Sequence, residues 1–405
     1  MKDHYIRDKC RLCDNEGMEI ILPLQKSPLC DAYIHKIREQ NFYDLNLCLC
    51  SECGFVQIDA VVDPETIYRD YIYVTTSSSG LEKHFKNYSA EVCELLNLHN
   101  SNLTVDIGSN DGTLLKFFKE HGHNVLGVDP SIEAAHRASE IGVFTLQEFF
   151  NLNLAKTIKK NYGTADLITI NNLLANVDDL KSFLEGIGSL LGQEGVLVIE
   201  SSYLVDMIQH MVFDFIYHEH LSYFSIQPLI IFFKKFGMHL IRIQRIDTKG
   251  GSLRYFWARE NSKWEIDESV EKMLANEIEI IQKNDVFYNF KNKINSVKEQ
   301  MINFLDQHKG EMIVGYGASA TSTTLISHFG LDKYLTYLVD DNPDKINTFS
   351  PGYHIPVFGS EKIKNSEPEV IIILAWRLKE EIIKKISHDS SIVVLPLPEF
   401  KILEM

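Results

Sequence analysis

Residues 103–129 constrain the fold more than any other stretch. Leu-Thr-Val-Asp-Ile (103–107) is a short β-type run that breaks into a glycine-spaced turn, Gly108-Ser-Asn-Asp-Gly112. Residues 113–122 follow with helical spacing, and Asn124-Val-Leu-Gly-Val-Asp129 makes a second short strand ending in an acid. Strand, tight turn, helix and strand in this order predict the start of a doubly wound α/β sheet. The glycines let backbone approach a ligand, and an acid at the end of the second strand can accept from both hydroxyls of a ribose. Residues 165–172 and 195–200 read as further buried strands, with helical runs at 182–191 and 203–211. A second such unit starts at Glu311-Met-Ile-Val-Gly-Tyr-Gly-Ala318 and continues through strands at 334–340 and 370–376. Between the two units, residues 266–309 carry Glu, Lys and aliphatic residues at helical spacing and predict long amphipathic helices. At about 100–200 residues per domain, 405 residues make two or three domains.

Composition narrows the partners. The 56 acidic residues outnumber the 40 basic ones, for a formal charge of −16. Broad binding to nucleic acid or to an anionic membrane needs clustered Lys and Arg, so neither is expected. No apolar run approaches the ~18 residues of a membrane span. The opening residues lack the apolar stretch of a signal peptide, which predicts a cytoplasmic protein with reduced cysteines.

Four of the seven cysteines form two CxxC pairs, Cys10/Cys13 and Cys50/Cys53. Each pair can offer two thiolates from one tight turn, as a tetrahedral structural zinc site requires. Gly54 supports the second turn. Cys48, two residues before Cys50, leaves the ligand choice ambiguous, and redox-active or unliganded cysteines are the alternative. Four thiolates close the coordination shell, so such a metal stabilises a small module and does not catalyse. Cys30 and Cys93 stand alone and read as buried thiols.

The first glycine loop reads D-x-G-x-x-x-G, with Asp106, Gly108 and Gly112, and not the GxGxxG of a dinucleotide site. It resembles motif I of class I S-adenosylmethionine methyltransferases. The alternative is a Rossmann-type turn that holds no ligand. Further on, residues 213–223 run Phe-Asp-Phe-Ile-Tyr-His-Glu-His-Leu-Ser-Tyr. Histidine titrates near neutrality and can serve as a general base. If this stretch is helical, Tyr217 and His220 share a face at i, i+3 and Glu219 diverges. A solvated polar patch, or histidines capping buried carbonyls, is the alternative.

Over essentially its full length the chain resembles the sugar C-methyltransferases of deoxysugar biosynthesis, which act on nucleotide-linked keto-sugars. The resemblance rests on the paired CxxC motifs, Tyr71-Ile-Tyr73, the loop from Asp106, Gly-Val-Asp-Pro (127–130) and Asn171-Asn172. It continues through Tyr-His-Glu-His (217–220), Gly-Gly-Ser-Leu-Arg (250–254), Gly-Tyr-Gly-Ala (315–318) and Ser-Pro-Gly-Tyr-His-Ile-Pro (350–356). It implies a class I methyltransferase Rossmann-like core (73–300) between a zinc-binding domain (1–72) and a C-terminal Rossmann-like domain (301–405) that positions substrate. It also implies His220 as the base, with Tyr217 and Glu219 beside it and a tyrosine of the Tyr-x-Tyr stretch, Tyr71 before Tyr73, approaching the sugar. S-adenosylmethionine would lie against Asp106, Gly108, Ser109, Asn110, Gly112, Asp129, Pro130 and Asn171.

Three departures bear on the acceptor. Asn176 stands where relatives often carry histidine, and asparagine cannot titrate. Lys249 replaces a histidine before Gly250-Gly251, close to where the resemblance puts the sugar nucleotide. Ser-Ala-Thr-Ser-Thr-Thr (319–324) stands where many relatives have a lysine and a glycine. Asn176, Lys249 and Arg254 are therefore candidate substrate contacts, the last two, with the Gly250-Gly251 backbone, because an acidic chain must meet a nucleotide diphosphate with a local cationic or amide-rich pocket. Transfer to a sugar oxygen, which needs only a base beside a hydroxyl, is the second reading. An NAD-dependent oxidoreductase working through the C-terminal unit is a third, and a catalytically silent scaffold a fourth.

Overall fold

The computed structural model describes residues 3–68, 80–281, 285–386 and 391–403. Tyr71 and Tyr73 lie outside the described residues, and Lys249 is described by its backbone alone.

The cysteine-bearing segment is built on short antiparallel strands. β1 (His4–Ile6) pairs with β5 (Ala60–Val62), while β2 (Met18–Pro23), β3 (Asn46–Cys50) and β4 (Val56–Ile58) form a meander. The free edge of β4 is taken by β11 (Ser222–Tyr223), in register Ser222↔Gln57 and Tyr223↔Val56. The strand that directly follows Tyr-His-Glu-His is thus an edge strand of the N-terminal sheet.

The central sheet contains β6 (Leu103–Ile107), β7 (Asn124–Val128), β8 (Thr145–Leu146), β9 (Ala165–Asn171), β10 (Leu191–Ser202), β12 (Met238–Ile246) and β13 (Ser252–Arg259). Its order is β12-β13-β10-β9-β6-β7-β8, parallel except for β13. This is the class I methyltransferase arrangement, and the strand order reverses between β6 and β9, where doubly wound sheets take their ligands. Helices cover both faces, so β6, β9, β10 and β13 are near-continuous buried runs. The helices start where short polar side chains satisfy free backbone amides: Ser131 caps Ile132–Glu140, Asn151 caps Leu152–Tyr162 and Asp179 caps Leu180–Leu190. Helix Ile226–Lys234 has no such cap from Ser225. Instead the buried Glu277 carboxylate, from helix Glu268–Ile281, accepts from the amides of Ile226 (2.6 Å) and Gln227 (2.9 Å) and from the Tyr203 hydroxyl (3.0 Å).

The C-terminal sheet contains β14 (Ile313–Tyr316), β15 (Leu335–Val339), β16 (Val357–Phe358), β17 (Val370–Ile373), β18 (Ile392–Leu395) and β19 (Lys401–Leu403). Its order is β16-β15-β14-β17-β18-β19, parallel apart from β19, with the reversal between β14 and β17. One apolar core runs across all three parts: Leu47 and Val56 of the N-terminal sheet, Phe213 and Ile216, helix Val286–Gln307 through Ile294 and Met301, and Leu325 and Val339. The 266–309 stretch forms the two helices its spacing predicts, Glu268–Ile281 and Val286–Gln307. Among the described residues no helix is long and apolar enough to cross a membrane.

Because the buried Glu277 carboxylate satisfies three donors at once, Glu277→Ala should cost on the order of 3 kcal/mol in urea unfolding. A loss indistinguishable from that of an exposed substitution on the same helix, such as Glu271→Ala, would contradict this account.

Candidate active site

The loop after β6 bends back over the sheet end through positive φ at Gly108 (78°), Asn110 (49°) and Gly112 (76°). The Gly108 amide donates to the Val128 carbonyl at 2.8 Å, which ties the loop to β7. A Cβ at Gly108 would sit 3.0 Å from the Leu173 side chain, so a larger residue closes the space between the β6 and β9 ends. Asp129, past the end of β7, accepts from the amides of Asn110 (3.0 Å) and Ser131 (2.9 Å), one on each carboxylate oxygen. Each oxygen keeps a lone pair for a further donor. Pro130 lies between them in the turn.

The polar groups around this loop are incompletely used within the protein. Asp106 accepts from the Thr169 hydroxyl at 2.6 Å, and burial pushes its carboxyl up to about 7. Both amide atoms of Asn171, the Ser109 hydroxyl and the Tyr88 hydroxyl are buried and make no hydrogen bond among the described residues. Unpaired buried donors and acceptors beside a raised carboxyl suit a ligand carrying a cation and several hydroxyls, since buried polar groups are otherwise paired. S-adenosylmethionine has both, so the donor set fits it.

A small cleft opens past the ends of β9 and β10, lined by Asn172, Ala175, Phe215, His220, Tyr223 and Gly251 among others. The stretch before His220 is a 3-10 turn, Phe213–Phe215, followed by a β-turn closed by the His220 amide on the Tyr217 carbonyl at 2.9 Å. The segment is therefore not helical. The β-turn still brings Tyr217 and His220 together, with ring centres 4.3 Å apart and the hydroxyl 3.3 Å from Nε2. His220 Nδ1 lies 3.1 Å from the Phe215 carbonyl. A carbonyl can only accept, so Nδ1 carries a proton, and in the neutral imidazole Nε2 is then the nitrogen with the lone pair.

The neighbours of His220 face elsewhere. His218 is fully buried with Nε2 on the Asp44 carbonyl at 3.1 Å, and burial lowers its pKa to about 4. The buried Glu219 carboxyl is pushed up to about 7 by desolvation and by the charge of Asp31, with Lys345 opposing. Glu219 thus looks toward Asp31 and Lys345 at the junction with the outer domains, and no hydrogen bond joins it to His220 among the described residues. Asn176 sits in the 3-10 turn Leu174–Asn176, its side-chain Oδ1 buried with no hydrogen bond among the described residues. The adjacent Ala175 carbonyl accepts from the Leu221 amide at 2.7 Å, so this turn abuts the His220 segment.

Arg254 requires a correction. It lies on β13, 1% exposed, with Nε and Nη2 on Glu200 at 3.0 and 2.9 Å and Nη1 on Glu91 at 3.0 Å. Its guanidinium also lies 3.9 Å from the Tyr88 ring centre. Glu200 in turn contacts His84 Nε2 at 2.7 Å. Both faces of β13 are covered, so the cation is consumed in neutralising Glu200 and does not reach a diphosphate. Lys249 lies in the turn Thr248–Gly250, whose last residue borders the cleft.

Sequence reasoning named Asn172 only as part of the Asn171-Asn172 motif and gave neither it nor Phe215 a role. Asn172 has φ 55° and lines the cleft directly after Asn171, and a second asparagine at a strand end was the available signal. Phe215 acts through its carbonyl, a group every residue has, so residue type carries no signal for it.

The four thiols form one cluster, every sulfur within 4.8 Å of the others, with Cys10–Cys53 and Cys13–Cys50 at 3.6 Å. Zn–S bonds of about 2.3 Å in a tetrahedron put sulfurs about 3.8 Å apart, so the set fits zinc. Gly54 has φ 72° and donates to the Cys50 carbonyl at 3.0 Å, closing one knuckle. Cys48 lies outside the cluster, its sulfur turned toward the Asn46 carbonyl.

Three family models match the chain in succession: a zinc binding domain over 10–68, a methyltransferase domain over 82–243 and a C-methyltransferase C-terminal domain over 247–398. The C-methyltransferase NovU of Streptomyces niveus is 26% identical over 406 residues, covering 98% of this chain and 97% of the relative. Among solved structures, magnesium protoporphyrin IX methyltransferase (ChlM) from Synechocystis PCC 6803 with bound SAH is 15% identical, with a TM-score of 0.36 over 44% of this chain and 83% of that one. A SAM-dependent methyltransferase from Anabaena variabilis is 13% identical, with a TM-score of 0.36 over 46% and 87% of the two chains.

Purified protein should carry one zinc per chain by elemental analysis, and Cys10→Ser/Cys50→Ser should lose it. Because β4 supports β11, metal loss should also raise amide hydrogen exchange at Leu221–Phe224. Full zinc retention in the double variant would rule out the four-thiolate site.

Proposed function

Starting from a chain that is an S-adenosylmethionine-dependent C-methyltransferase with a zinc-binding N-terminal domain, we propose that its acceptor is a carbon beside a ketone in a nucleotide-linked keto-deoxysugar and that His220 removes the proton there. The observation that carries this reading is the contact of His220 Nδ1 with the Phe215 carbonyl: with Nδ1 donating there, Nε2 of the neutral imidazole can take a proton at the cleft. The ketone acidifies the neighbouring C–H, and the proton passes to His220 Nε2. The resulting enolate oxygen needs a hydrogen-bond donor, and the Tyr217 hydroxyl, 3.3 Å from Nε2, is beside the place where that oxygen forms. S-adenosylmethionine, when bound, would supply the electrophilic methyl group, the new C–C bond forming as the S–CH3 bond breaks and S-adenosylhomocysteine leaves.

Asp106, Gly108, Ser109, Asn110, Gly112, Asp129, Pro130 and Asn171 are the residues that would hold it. The lone pairs left on Asp129 suit a ribose diol, and the Gly108 cradle suits close backbone approach. Asn171 and Asp106 suit the cationic amino-acid end. Asn176 replaces a titratable side chain with an amide, and its unbonded carbonyl oxygen suits a sugar hydroxyl. Glu219, buried and outside the lining of the cleft, supports this segment from the junction side near Asp31 and Lys345. With Arg254 committed to Glu200, the Gly250–Gly251 backbone and Lys249 are the remaining candidates for the diphosphate.

Two measurements test the reading. In deuterium oxide, the wild-type protein should exchange the hydrogen beside the ketone of the dTDP-, GDP- or CDP-linked keto-sugar it methylates. His220→Asn should abolish that exchange, and methylation on oxygen with no exchange would overturn the proposal. The second concerns Asp106, whose carboxyl stands near 7 in the free protein. A bound cation favours the carboxylate, so binding below that pH must first remove a proton. S-adenosylhomocysteine affinity, by calorimetry, should therefore weaken as pH falls below about 7. Asp106→Asn should remove that dependence; an unchanged profile would exclude Asp106 from the amino-acid end.

A further inference from the structure

The C-terminal sheet reverses its strand order between β14 and β17, and the crevice outside the strand ends at such a reversal is where doubly wound sheets bind ligands. Here the residues at that crevice meet the chain itself. After β17, Trp376 Nε1 donates to Asp214 Oδ2 at 3.0 Å, and Arg377 Nη1 reaches both Asp214 oxygens at 3.1 and 3.0 Å. The Asp214 carboxylate is fully buried. The Arg377 guanidinium also lies over the Phe215 ring, 4.4 Å from its centre. From the helix after β14, the Thr324 hydroxyl donates to the Ile216 carbonyl at 3.1 Å. Three consecutive residues, Asp214, Phe215 and Ile216, are thus held by the C-terminal domain.

Phe215 is also the residue whose carbonyl takes the His220 Nδ1 proton, and its ring stacks on the imidazole at 6.0 Å with 24° between planes. The Tyr223 hydroxyl donates to the same carbonyl at 3.3 Å. From this chain of contacts we propose that Arg377, acting with Asp214, is a positioning residue: the C-terminal domain fixes the tautomer and aim of His220 through Phe215. The inference rests on the reading of His220 as the base. Arg377 touches none of the reacting atoms in this account. Its charge neutralises Asp214, its plane holds the Phe215 ring, and Phe215 presents its carbonyl to Nδ1.

The test uses the full zinc-loaded chain and three variants: Arg377→Met, Arg377→Lys and the double variant Asp214→Asn/Arg377→Met. The double variant strands no buried charge, so it keeps the question open where the single variant fails to fold. With 15N-histidine labelling, the His220 signals are identified by their absence in His220→Asn. Wild type should show protonated Nδ1 and bare Nε2. Arg377→Met and the double variant should show mixed tautomers, and Arg377→Lys should recover part of the wild-type pattern. With a dTDP-linked 4-keto-6-deoxyhexose as probe, kcat should fall on the order of 100-fold, as for a catalytic group displaced by about an ångström, with KM little changed. An unchanged tautomer in the folded double variant overturns the proposal. So does a raised KM with intact kcat, which would make Arg377 a substrate contact. Exchange that survives His220→Asn would instead sink the base assignment, while the nitrogen signals still decide whether Arg377 sets the tautomer.

Discussion

A neutral imidazole has one nitrogen that donates and one that accepts, and its surroundings decide which is which. In this chain the Phe215 carbonyl makes that decision for His220. The backbone on either side of that contact is held from two directions. Upstream, Asp214, Phe215 and Ile216 are pinned by Trp376, Arg377 and Thr324. Downstream, Ser222 and Tyr223 complete the sheet of the zinc-bearing segment. The ten residues from Asp214 to Tyr223 are therefore the place where three separately built parts meet, and the shared apolar core through Phe213, Ile216 and Tyr223 reflects it.

This arrangement gives the thiolate cluster a role consistent with its closed chemistry. The cluster staples a segment too small to hold itself together, and the sheet it stabilises ends on the strand after His220. The metal would thus influence catalysis by holding β4 in place. The charge balance follows the same economy. A chain of −16 has few cations to spare, and two of its arginines are spent on buried carboxylates, Arg254 on Glu200 and Arg377 on Asp214. Breaking such a pair strands a charge, so each fixes geometry more than it adds net stability.

The parts of the structure written in local pattern were legible in the sequence. Both glycine turns, the acids at 129 and 340, the parallel strands and the long helices stand where periodicity puts them. The two CxxC motifs converge because their spacing reports one chemistry, and the geometry separates Cys48 from them. What was not legible depended on partners distant in the chain. Arg254 looked like a cation for an anionic substrate, yet Ser252–Ala258 is buried at every position. A charge inside so apolar a strand needs a buried partner, and Glu200 lies directly opposite in register. The His220 segment satisfied a helical spacing without being a helix, because a β-turn also brings i and i+3 together.

The second Rossmann-like unit shows why a shared fold need not mean a shared ligand. Its loop copies the first in backbone terms: the Gly317 amide donates to Val339 as Gly108 does to Val128, and Asp340 accepts from the Ala318 amide as Asp129 does from Asn110. The difference lies in what fills the space. A Cβ at Gly317 would meet Ala375 at 2.6 Å, so the room that glycine makes is taken by the chain after β17, not left to a pyrophosphate. The residues that follow, Trp376 and Arg377, then reach across the crevice to Asp214. A dinucleotide there would have to displace that contact and leave Asp214 buried without its cation, a cost of several kcal/mol before any binding energy is gained. The crevice is better understood as a socket for the segment that carries His220, which explains how a domain with a nucleotide-binding outline can serve a site at another sheet.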